Sequence, residues 1–299
     1  MNLTLGKRER LSAAAIRDSI PADERVFYES EAADEISRLA SLENITGVAS
    51  VSLSLSFAGL ARIFAAARRD GCPEPKSLWL AATFECPAEY EALSFVAPIA
   101  NKSVLQLGGK GTEAVKLMLA GAKEACLVSP VESELQCGAE LARLCHVEVS
   151  CKLGTAEGIP FDDHSFDVVY SSGCAHHFRT VEAFPEISRV LRPGGRFAAI
   201  EPWRAPLYSI GTRIFGKRET EVHCRPLTKE RLLTLADNFR FHDVRQHGTL
   251  SRYPMIALCK LGCLTPLSLA WALFRADDWL CSLLRLRGFG SCAAVLAEK

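Results

Sequence analysis

Apolar and polar positions change their period near residue 100. Before it, Ala32 to Leu42 and Ala58 to Arg69 carry apolar residues three and four apart, which predicts helices. Cys72-Pro73-Glu74-Pro75 interrupts them, and a short helix is expected over Ala88 to Pro98. From Ser103 onward, brief apolar runs alternate with helical stretches. Strands are predicted at Ser103–Leu107, Ala125–Val128, Val147–Cys151, Phe166–Tyr170 and Arg196–Ile200. Helices are predicted at Thr112–Ala120, Glu132–Cys145 and Val181–Val190, the last stopped by Arg192-Pro193-Gly194-Gly195. After a loop, Thr228 is expected to cap a helix over Lys229–Asp237, followed by strands at Phe241–Gln246 and Ala293–Ala297. This alternation predicts an α/β protein with a Rossmann-like, doubly wound, mostly parallel sheet. An N-terminal helical cap is expected over residues 1–97, an α/β domain over 98–299, and a helical insertion over about 250–287.

Composition narrows the class. Apolar residues make up 48% and charged residues 23%, as in a soluble globular protein. Lys+Arg and Asp+Glu are 35 each, so no basic face for nucleic acid is predicted. The basic start of the chain has no apolar run behind it, so a secretory signal is not expected. The 12 cysteines then read as reduced thiols of a cytoplasmic protein. Cys259 and Cys263 sit four apart in an apolar segment and read as core residues, with no metal site expected. Residues 255–274 approach spanning length, but Lys260 and Pro266 favour two buried helices.

The stretch Leu153–Trp203 (LGTAEGIPFDDHSFDVVYSSGCAHHFRTVEAFPEISRVLRPGGRFAAIEPW) carries the most specific signal. Together with the glycine turn after Ser103–Leu107, it resembles the class I S-adenosylmethionine (SAM) methyltransferases. The ubiquinone/menaquinone-methylase-like, methyltransferase type 11 branch is the nearest likeness. The resemblance covers about residues 100–250 and implies SAM as cofactor. It implies a cofactor site at Gln106, Gly108, Gly109, Gly111, Ser129, Thr155, Ala156, Glu157, Ser171 and Gly173.

Three of these positions depart from the family pattern. Gln106, Ser129 and Thr155 stand where the family carries acids, and Lys110 enters the glycine turn. Glu132 and Glu134 lie just beyond Ser129. They either replace its carboxylate through an altered loop or simply favour the helix dipole. His176, His177 and Glu201 are the candidate proton acceptors, with His176 expected nearer the crevice. Trp203 and His223 are the candidate substrate contacts.

The leading expectation is methyl transfer to a small apolar or amphipathic molecule. The altered pocket also suits non-methylating SAM chemistry, such as cyclisation or elimination, or a non-catalytic partner protein. The apolar terminal segments are compatible with a homodimer and with peripheral membrane contact; no integral span is expected.

Overall fold

The computed structural model describes residues 12–40, 85–204, 226–254 and 267–299. The expected helix at 58–69, the Cys72–Pro75 break, the Cys259/Cys263 pair and His223 lie outside these residues. The described elements run α1 (Ala13–Arg17), α2 (Ala22–Ala40), α3 (Cys86–Val96), β1 (Ser103–Leu107), α4 (Thr112–Leu119), β2 (Glu124–Ser129), α5 (Glu132–Leu144), β3 (Val149–Leu153) and β4 (Phe166–Ser172). They continue with a 3₁₀ turn (Ala175–His177), α6 (Thr180–Val190), β5 (Leu191–Pro202), α7 (Thr234–Asn238), β6 (Phe241–His247), α8 (Leu267–Leu283) and β7 (Cys292–Glu298).

The sheet has seven strands in the order β3-β2-β1-β4-β5-β7-β6. Strands β1 to β5 pair in parallel, and β7 runs antiparallel between β5 and β6. The chain reverses its winding between β1 and β4, and in such sheets the ligand crevice opens at that reversal, beyond the carboxyl ends of the strands. The central strands read as unbroken apolar runs because helices cover both faces. Strand β1 is buried along its whole length.

Two cores result. On one face α6 and α7 cover the sheet through Phe184, Ile187, Leu235 and Phe239. On the other, α3, α4 and α8 contribute Ala92, Val96, Leu117 and Phe274. The sequence boundary at residue 97 assigns α3 to the cap, yet its Ala88, Ala92, Leu93 and Val96 are buried on the sheet. Lys116 on α4 joins it there, 2.7 Å from Glu89 and 3.1 Å from Glu113. Burial outweighs Lys116 and lifts the Glu89 carboxyl to about 7.

Some predicted limits shift. The expected single helix at 229–237 is instead a 3₁₀ turn at Glu230–Leu232 followed by α7. Thr228 Oγ1 accepts from the Arg231 amide at 3.5 Å, near the start of that turn. Strand β5 begins at Leu191, because the Arg192–Gly195 turn is held in the sheet edge: Gly194, at φ +75°, donates to the Lys299 carbonyl.

Close approach of α4 and α5 depends on Gly111. It precedes α4 at φ +83°, and a Cβ there would stand 2.5 Å from Gly138 Cα on α5. Gly111→Ala is therefore expected to destabilise the fold by about 2–4 kcal/mol, from backbone strain plus the clash. Chemical denaturation checks this; an unchanged midpoint contradicts it.

At the far edge, His247 closes β6. Its Nδ1 is 3.3 Å from Asp278 and its Nε2 is 3.4 Å from Glu91. Burial alone would depress this imidazole, but the two carboxylates overcome it and raise it to about 9. A group raised above its unfolded value stabilises fully below that value. The contribution of His247 should thus be complete below about pH 6.5 and fade as pH rises to about 9, on the order of 2–3 kcal/mol in all. Melts of wild type and His247→Gln across this window should converge at the alkaline end; a constant gap contradicts the assignment.

Candidate functional site

A cleft opens at the carboxyl ends of β1, β2, β3 and β4, with about 870 Å³ of empty space including its mouth. Its walls come from the turn after β1 (Gly108, Gly109), the start of α5 (Pro130, Val131, Glu134), the turn after β3 (Gly154 to Glu157) and the loop after β4 (Gly173, Cys174, His177 to Arg179). The start of α2 supplies a lid edge through Pro21, Glu24 and Tyr28.

The glycine turn is shaped by a side chain behind it. Gly108 and Gly109 take φ +73° and +75°, which favours glycine. A Cβ on Gly108 would meet Cys174 Sγ at 2.7 Å, so the two loops touch there. Gln106 is buried and does not line the cleft. Its Nε2 donates to the Gly108 carbonyl at 2.8 Å, and its Oε1 accepts from the Ala114 amide at 2.7 Å. It clamps the turn to the first turn of α4. Gly111 also stays behind the wall, against Gly138.

Ser129 ends β2, buried and away from the cleft. Its hydroxyl donates to Glu134 Oε2 at 2.6 Å and accepts from the Val131 amide at 3.0 Å. Glu134 itself faces the cleft beside the glycine turn. Burial raises its carboxyl, opposed by the Ser129 hydroxyl, by Lys110 and by the Gly109 backbone. Lys110 reaches Glu31 on α2 at 3.4 Å. A carboxylate thus lines the cleft from the first turn of α5, while the end of β2 carries none. The acids at the helix start carried the signal, but nothing in their spacing separates a dipole partner from a site residue.

Thr155, Ala156 and Glu157 line the cleft as expected. Glu157 also accepts from the Arg179 amide at 2.8 Å, joining the two loops. Gly173 (φ +64°) faces open space, since a Cβ there would meet nothing within 4 Å. Ser171, two residues before it, is fully buried with its hydroxyl unpartnered among the described residues.

The loop after β4 is held from below by Glu201. This side chain is 0% exposed. One oxygen accepts from the amides of Cys174 and Ala175, at 3.1 and 2.7 Å. The other accepts from the amide and Nδ1 of His176, at 3.1 and 2.8 Å. Glu201 is therefore an anchor and does not line the cleft. His176, expected nearer the crevice, is the buried member of the pair. His177 lines the wall, and the physical reason is that Glu201 draws the His176 ring inward. Tyr28 Oη lies 2.9 Å from His177 Nε2, and Glu24 Oε2 lies 3.3 Å from Nδ1, so α2 grips this ring from above. The neighbouring Cys174 thiol is pushed well up by burial and by Glu134 and Glu201.

Trp203 does not line the cleft either. It is 4% exposed and packs in the core with Leu227. Among the described residues no group of three or more His, Cys, Asp or Glu side chains is arranged to hold a metal ion.

Loss of the Glu201 anchor should be costly. Glu201→Ala leaves three buried amides and the His176 ring without their acceptor, and is expected to destabilise by about 3 kcal/mol or more. Urea denaturation of this variant checks it; a change below about 1 kcal/mol contradicts the anchor.

Residues 105–199 match the family model described as a methyltransferase domain. An uncharacterised methyltransferase of Mycobacterium tuberculosis is 36% identical over 111 residues, covering 37% of this chain and 44% of that protein. The ubiquinone/menaquinone biosynthesis C-methyltransferase of Rubrivivax gelatinosus is 32% identical over 120 residues, covering 38% of this chain and 47% of that one. The chain thus spans less than half the length of these curated relatives. Among solved structures, geranyl diphosphate C-methyltransferase of Streptomyces coelicolor, determined with Mg²⁺, geranyl diphosphate and S-adenosyl-L-homocysteine, superposes with a TM-score of 0.52 at 15% identity. The match covers 85% of this chain and 90% of that one, and shows a shared fold.

Proposed function

We propose that this chain, whose residues 105–199 match a methyltransferase domain, is a class I SAM-dependent methyltransferase that transfers a methyl group from SAM to a small apolar or amphipathic molecule. The observation that carries this reading is the carboxylate of Glu134, set in the cleft between the glycine turn and the Thr155–Glu157 turn. When bound, SAM supplies a methyl group activated by its sulfonium centre.

The chain's own residues fit such a ligand. The Gly108–Gly109 turn lets backbone approach closely, and Gly173 leaves room opposite. Glu134, oriented by Ser129, accepts from the ribose hydroxyls in place of a strand-end acid. The Thr155–Glu157 turn frames the adenine edge. His177 takes the proton released by the acceptor, with Tyr28 and Glu24 fixing its ring. Helices α1 and α2 are the described part of a cap over the cleft. Positioning of donor and acceptor in line supplies most of the rate.

Two experiments test this. Calorimetric titration with S-adenosylhomocysteine should show Glu134→Gln binding about tenfold to a hundredfold more weakly than wild type, the value of a charged hydrogen-bond partner. Glu132→Gln, at an exposed position, should bind as wild type does. Equal affinity of Glu134→Gln and wild type contradicts the assignment. Incubation with SAM and a panel of amphipathic acceptors should release S-adenosylhomocysteine only when an acceptor is methylated; methylthioadenosine as the product contradicts methyl transfer.

A further inference from the structure

Helix α2 meets the loop after β4 through both nitrogens of the His177 ring. Tyr28 Oη lies 2.9 Å from Nε2, and Glu24 Oε2 lies 3.3 Å from Nδ1. Tyr28 and Glu24 stand four residues apart on α2, so one face of the helix presents both. The tyrosine and imidazole rings meet edge to face, with centroids 5.7 Å apart and planes at 89°. Glu24 is buried, and all three side chains belong to residues that line the cleft.

Donor and acceptor chemistry orders the hydrogens in this trio. A carboxylate only accepts, so the nitrogen beside Glu24 carries a hydrogen. In the neutral ring Nε2 is then bare, and the Tyr28 hydroxyl donates to it. Each hydrogen in the chain from Tyr28 through His177 points toward Glu24. The two histidine rings lie 4.0 Å apart between centroids, and each has its own glutamate at Nδ1: Glu201 for His176 and Glu24 for His177. With Nε2 engaged by the hydroxyl and Nδ1 by the carboxylate, the His177 ring offers the cleft no further acceptor. The tyrosine oxygen does, because a hydroxyl both donates and accepts.

We propose that Tyr28 takes the proton of a hydroxyl-bearing methyl acceptor while passing its own to His177, with Glu24 as the positioning residue behind the ring. The inference rests on the methyl-transfer reading and deepens it by naming the acceptor group. As the acceptor oxygen bonds the methyl carbon, the carbon–sulfur bond breaks toward sulfur and S-adenosylhomocysteine is left. The acceptor proton moves to Tyr28 Oη, and the tyrosine proton moves to His177 Nε2. Both transfers occur together, so no tyrosinate accumulates. The imidazolium faces the Glu24 carboxylate and afterwards releases its proton to water.

The test begins without cofactor. Nitrogen NMR of the histidine-labelled full chain should show neutral His177 with its hydrogen on Nδ1, and its Nε2 resonance should shift in Tyr28→Phe. A hydrogen on Nε2 overturns the relay, and this wild-type readout decides even if a variant folds poorly. The second arm supplies SAM with a panel of alkylphenols and long-chain alcohols. Tyr28→Phe should lose about a hundredfold in kcat, with acceptor KM and S-adenosylhomocysteine affinity within about twofold of wild type. Glu24→Gln should lose at least about tenfold in kcat, because the ring is no longer held in one tautomer. Full kcat in Tyr28→Phe, or a loss confined to KM, overturns the relay and leaves methyl transfer standing. So does a wild type that binds S-adenosylhomocysteine yet forms no methyl ether from any of these hydroxyl probes. A wild type that binds neither SAM nor S-adenosylhomocysteine removes the methyl-transfer reading, and the relay with it.

Discussion

The site depends on one buried carboxylate. Glu201, at the end of β5, has no exposed surface and accepts from three consecutive backbone amides and one imidazole. Such a set holds the 3₁₀ turn at Ala175–His177 against the sheet end. With the turn fixed, Gly173 opens toward the cleft, Cys174 presses on Gly108, and His177 projects to the wall where α2 meets it. A buried carboxyl is tolerated here because both of its oxygens are met by donors. A general base must gain and lose a proton freely. Glu201 is instead committed to structure, and of the two histidines it is His177 whose ring lines the cleft.

The same economy of roles recurs across the cleft. Gln106 and Ser129 occupy positions where the resembled family carries acids, and both face inward to brace backbone. A carboxylate stands instead on α5, where Glu134 lines the cleft and accepts from the Ser129 hydroxyl. Lys110 in the glycine turn finds Glu31, so this lysine ties α2 to the turn after β1. These changes belong together: a neutral strand end, an acid on the next helix and a basic turn beneath an acidic cap.

The fold was legible because its signals are local. Continuous apolar runs of four to six residues marked β1, β2, β4 and β5, and the alternating helices implied a parallel sheet. The order of β7 and β6 was not legible, since it rests on pairing across the α8 insertion. At the site, the glycines and the Thr155–Glu157 turn could be read because backbone shape demands those residues. The expectation that His176 lies nearer the crevice fails, since His177 lines it, because the difference comes from Glu201, 25 residues away from His176. Trp203, expected as a substrate contact after a strand, is core, because it is buried in one cluster with Leu227. The contribution of Tyr28 and Glu24 left no mark in the sequence, since it arises only when α2 crosses α5.

The central claim is that this rebuilt cleft still holds an adenosyl ligand. Titration of the wild-type full chain with SAM, and separately with S-adenosylhomocysteine, tests it most directly. Saturable one-to-one binding at micromolar strength is the predicted result. No heat of binding from either ligand up to millimolar concentration would contradict the account.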